Sequence, residues 1–170
     1  MRKLHLDGIP DIFNFLMVMV SIIIGFGMTE ILAGSARLLR ARNNTKPYWV
    51  HTVLVLGIFI TLLTMWWEAW GLRSESEWSF LGLIYMLAGP VGLYLISSLS
   101  FPDQVEGHDF REYYYQNSSL IWMVAGITAI LNNSFWIFYL GSDLLEPDTL
   151  ISLINILIAF VLVFVKKPLA

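Results

Sequence analysis

The sequence contains no cysteine. That excludes a disulfide framework, a thiolate metal site and covalent haem attachment. Charge is also scarce, with Asp, Glu, Lys and Arg at 14% of the chain, where a soluble domain carries roughly a quarter. Histidine occurs three times, as His5, His51 and His108. Only His51 falls inside an apolar run, so a haem held between two intramembrane histidines is excluded. The net charge of -3 supplies no basic surface, and no nucleic-acid partner is expected. Glu106, His108 and Asp109 share one loop but lack a metal-ligand spacing, so neither a metal site nor a cofactor is expected.

What is present is apolar. Hydrophobic residues make up 57% of the chain and the mean hydropathy is +0.68. The many Trp, Tyr and Phe rings suit the boundary between oil and water. The composition predicts an integral membrane protein whose first partner is the lipid bilayer.

Crossing the bilayer core takes about 20 apolar residues as a helix. Five segments qualify: 12–36, 49–70, 78–100, 119–140 and 149–165. The last, TLISLINILIAFVLVFV, is at the lower limit of length. The expected fold is all-α, one helical membrane bundle over 1–170 with five transmembrane helices. The longest connection, 101–118, leaves no room for a soluble domain. The first segment is read as a retained span and not a signal peptide, because its positive charge, Arg37 and Arg40, follows the apolar run where a signal peptide has it in front.

Orientation follows Lys and Arg. Arg37, Arg40, Arg42 and Lys46 form a basic cluster in the first connection, Arg111 lies in the third, and Lys166 and Lys167 follow the fifth span. Arg2, Lys3 and Arg73 fall on the other side. The majority side is cytoplasmic, which gives an N-out, C-in topology. Trp66, Trp67, Trp70, Trp78 and Trp136 then gather at the outer boundary and Trp49 and Trp122 at the inner one, as an aromatic belt.

Helices in lipid associate through small residues at four-residue spacing. The first span carries the row Ser21, Gly25, Thr29, Ala33 and a second edge at Gly27 and Gly34, so it can be approached from two sides. The third span contains Gly89-Pro90, where a kink is expected.

Two polar groupings lie within the spans. Glu30 is about 10 Å inside the cytoplasmic boundary at about 1.5 Å per residue, where an ionised carboxylate needs a partner, a proton or water. His51 enters from the same side, and a Glu30–His51 pair is the expected arrangement. Toward the outer boundary, Thr64, Asn132, Asn133 and Asn155, with Thr61 nearby, bring amides and hydroxyls from three helices to one depth, where interhelical hydrogen bonds are expected. In the third connection, FPDQVEGHDFREYYYQNS, Asp109 with Glu112 reads as a helix-start capping box. Phe110, Tyr113 and Tyr114 on one face suggest an interfacial helix. The acids of this loop and the basic first loop can clamp each other or offer a charged surface to a partner.

The strings GFGMTEILAGSARLLR, YWVH, WWEAWGLR, WSFLGL, FPD and FREYYYQN, in that order, resemble a family of small uncharacterised bacterial multi-pass membrane proteins. The resemblance implies a bacterial inner-membrane location and brings no catalytic residue. Three functions compete. The first is a non-enzymatic subunit that self-associates as a homo-oligomer or serves a membrane protein partner. The second is a proton-linked transporter or oligomeric channel using Glu30 and His51. The third is a membrane enzyme built on Ser35, His51 and Glu30, and no nucleophile motif surrounds Ser35. The first is preferred, and no catalytic residue is assigned.

Overall fold

The computed structural model describes residues 12–74, 78–141, 143 and 147–165. Arg2, Lys3, Lys166 and Lys167, on which part of the orientation rests, lie outside them. The helices run in the order α1 (Ile12–Arg40), α2 (Trp49–Ala69), α3 (Phe80–Leu99), α4 (Phe110–Ser134) and α5 (Pro147–Val163). A 3₁₀ turn, Trp70–Ser74, extends α2 and a π turn, Phe135–Tyr139, extends α4. Among the described residues there is no strand. Four helices are long and apolar enough to cross a membrane, and the fifth, of 17 residues, is shorter.

Local chemistry sets the ends. Ser79 caps α3 by accepting the Gly82 N–H at 3.1 Å. Asp109 caps α4, its Oδ1 accepting from the N–H groups of Arg111 at 3.0 Å and Glu112 at 3.4 Å. The capping box is half formed, because the Glu112 carboxylate accepts instead from Gln116 at 3.0 Å. No separate interfacial helix precedes the fourth span: α4 is continuous from Phe110. Phe110 and Tyr114 are buried in the bundle, and the Tyr113 hydroxyl donates to the Leu99 carbonyl at 3.0 Å. These contacts stand the first turn of α4 upright against α2 and α3.

The helices α1, α3, α4 and α5 pack in that order as a row, with α2 laid against α1 and α3. Close approach replaces hydrophobic driving force, because lipid tails are as apolar as the side chains. A Cβ on Gly92 would overlap the Thr128 side chain, and one on Gly34 would overlap the Phe101 ring. Of the two small edges of α1, Gly27 and Gly34 face the bundle. The row Ser21, Gly25, Thr29, Ala33 lies largely on the other side: Thr29 is exposed, and among the described residues nothing beyond its own helix lies within 4 Å of a Cβ placed on Gly25. At the end of the row, Ser21 Oγ accepts from Trp66 Nε1 of α2 at 3.1 Å. The helix α3 continues through Pro90, and its Gly82, Met86, Gly89, Leu93, Ile96 and Ser97 form one buried face.

Long apolar side chains cover the outside, among them Phe26, Leu56, Trp67, Leu157 and Phe160. Such a surface far exceeds what a water-soluble monomer exposes and is the surface a bilayer would solvate.

Candidate functional site

The first and third connections meet at one end of the bundle. The Lys46 N–H donates to the His108 carbonyl at 3.2 Å, the Phe110 N–H to the Lys46 carbonyl at 3.0 Å, and the Gly107 N–H to the Asn44 carbonyl at 3.0 Å. Gly107, at φ 79°, makes the turn that brings its amide there. Lys46 Nζ lies 3.6 Å from Asp109 Oδ2, an exposed ion pair that adds little to these main-chain bonds. The Asp109 carboxyl is held below the ordinary aspartate value, chiefly by the Arg111 backbone N–H; desolvation opposes this, and the Glu112 N–H and Lys46 add to the lowering.

Directly beneath this clamp sits His51, 2% exposed. Its Nε2–H donates to the Ser100 carbonyl at 2.7 Å. Its ring packs edge-on to Phe101, with centroids 5.4 Å apart, and against Phe110 at 4.7 Å. Ser100 ends α3, so His51 satisfies a carbonyl that the helix itself leaves open.

The structure does not bring Glu30 and His51 together by a hydrogen bond or ion pair, because the histidine donor is committed to Ser100. Among the described residues Glu30, half-buried on α1, has no hydrogen bond or ion pair, and Ser35 bonds to neither. Within the basic cluster, Lys46 joins the clamp, Arg40 Nε donates to the Ala36 carbonyl at 3.2 Å and Arg42 is exposed. Arg37 is half-buried, with its Nε enclosed and unpartnered.

The outer polar layer divides. Asn133 is buried and its Nδ2 donates to Ser152 Oγ of α5. Thr64 is exposed and donates to the Thr61 carbonyl of its own helix at 3.0 Å, so it joins no interhelical bond. Asn132 and Asn155 both line a cavity of about 560 Å³ between α2, α4 and α5, and among the described residues neither side chain has a hydrogen bond. Sequence reasoning missed this cavity. Its signal was the small residues that hollow it out: Gly57 on α2, Ala125 and Ala129 one turn apart on α4, and Ala159 on α5.

The fold and these sites define an apolar helical bundle with helices of membrane-crossing length. No family model, curated protein or solved structure matches the chain.

Proposed function

We propose that this protein is a non-catalytic subunit of a bacterial inner membrane, crossing it five times with its N-terminus outside and the clamped first and third loops in the cytoplasm. It assembles with further copies of itself, or with another membrane protein, through the outward face of α1. One observation carries this reading. Among the described residues Glu30 has no hydrogen bond or ion pair, and it stands on the helix whose small-residue row is open at Gly25 and Thr29. An acidic residue at membrane depth costs about 3 kcal/mol unless it is paired, and small residues at four-residue spacing are where a second helix comes close. A second chain answers both.

The test uses Gly25→Leu. Among the described residues nothing beyond its own helix lies within 4 Å of a Cβ placed here, so the fold and its melting temperature are expected to hold while the assembly is lost. An assembly of unchanged mass in that variant removes this face as the interface.

A proton-linked transporter or oligomeric channel is the second reading. The unpartnered Glu30 favours it, as a carboxylate lining a pore between several copies. His51 gives it no support, since its donor is bound to Ser100.

A further inference from the structure

The cavity between α2, α4 and α5 runs from Val50 to Met65 along α2, a length of about 22 Å at about 1.5 Å per residue. Its volume of about 560 Å³ is in the range of small-molecule pockets, which are mostly apolar with a few placed polar groups. Among the described residues no charged side chain lines it.

Most of its polar groups are already occupied. The Thr61 and Thr128 hydroxyls donate to carbonyls of their own helices at 2.9 and 2.8 Å. Ser152 accepts from Asn133, and Trp122 Nε1 donates to the Tyr114 hydroxyl at 3.3 Å. Asn132 and Asn155 are the exceptions. Each amide carries two N–H donors and a carbonyl, and neither side chain is bonded within the described structure. The Asn133–Ser152 bond, and Ala159 lying 3.9 Å from where a Cβ on Gly126 would stand, fix the register of α4 on α5, and by that register Asn132 and Asn155 differ in depth by less than one helical turn.

With the helices across a bilayer, these amides lie about 10 Å below the outer boundary. The hydrocarbon core supplies no hydrogen-bonding solvent to satisfy them, and phospholipid ester groups sit at the interface, above them. The matching occupant has an elongated apolar body, no charge, and a hydrogen-bond acceptor deep in the membrane.

We propose that this cavity binds an uncharged long-chain carbonyl compound dissolved in the bilayer, its chain along α2 and its carbonyl oxygen accepting from Asn132 and Asn155. Long-chain ketones and prenylated quinones share that chemistry. The site uses no residue of the outward face of α1 and does not rest on the assembly proposed above.

The test is photolabelling of the whole protein in phosphatidylcholine vesicles. One probe is a long-chain methyl ketone with a diazirine in mid-chain, and the other is the alkane diazirine of equal length. The ketone is expected to label peptides of α2, α4 and α5 about fivefold more than the alkane does, the ratio given by one net hydrogen bond, and to label α1 no more than the alkane. Asn155→Leu should reduce this preference to half or less and Asn155→Gln retain it, both with an unchanged melting temperature, since Asn155 is exposed. Equal labelling by the two probes, or a preference undiminished in Asn155→Leu, overturns the proposal. So does a disulfide-linked dimer of the single-cysteine variant Ile158→Cys, which would put a second copy in the groove.

Discussion

The Nε2–H of His51 on α2 donates to the carbonyl of Ser100 at the end of α3, 2.7 Å away, with Phe101 and Phe110 closing over the ring. This bond joins the entry of the second helix to the exit of the third, directly under the loop clamp. Replacing His51 with Leu keeps the bulk and removes the donor. The buried carbonyl then loses its partner, which costs about 1–3 kcal/mol. Thermal unfolding in detergent is expected to show a lower midpoint, and an unchanged midpoint would mean that the bond contributes nothing net.

The helix crossings rest on glycines without spare volume. Gly34→Ala must displace the Phe101 ring and Gly92→Ala the Thr128 side chain. Overpacking of this kind costs about 1–3 kcal/mol. Gly57→Ala, with nothing within 4 Å, is expected to leave the midpoint unchanged or raise it slightly, because alanine favours the helix. A uniform response across the three variants would contradict the crossings described.

The loop clamp responds to acid through Asp109. Its carboxyl sits below the ordinary aspartate value because the Arg111 and Glu112 amides and Lys46 favour the anion. A depressed value in the folded state means that the stabilisation is complete above the unfolded value and is lost as pH falls through the folded one. The clamp should therefore hold at neutral pH and weaken only below about pH 4. In Asp109→Asn, which keeps a capping side chain without the charge, the midpoint between neutral pH and about pH 3 should fall by less than in the native chain. An equal acid response in both would assign it to other groups.

Because the chain lacks cysteine, single cysteines report sidedness cleanly. Asn43→Cys and Glu106→Cys fall in the two clamped loops, both at exposed positions. Both are expected to react with a membrane-impermeant maleimide from the cytoplasmic side and not from the outside. Labelling of the two from opposite sides would break the clamp, and labelling of both from outside would invert the topology.

Much of this architecture was legible in the residues. Five apolar runs gave five helices, since length and hydropathy are local properties. The Asp109 cap followed from side-chain chemistry, and opposite charge pointed to the meeting of the two loops, although main-chain hydrogen bonds carry it. The partner of His51 did not, because it is a main-chain carbonyl, and every residue carries one; only the tertiary path of the chain decides which lies in reach. The two small edges of α1 were both visible, but the choice between them depends on the shapes of Leu62 on α2, Ser97 on α3 and Phe101 in the loop after it. The sequence places the outer polar residues at one depth, as one set of interhelical bonds would need. Helix rotation instead sent Thr64 outward, Asn133 to Ser152, and Asn132 and Asn155 into an apolar cavity.

The most direct test of the proposed assembly is the native mass of the particle extracted gently from its own membranes. The account predicts either a multiple of the 19.4 kDa chain or a stoichiometric complex with a second membrane protein, in each case lost in Gly25→Leu. A single chain carrying only lipid would contradict it, and would leave Glu30 to be explained within one copy.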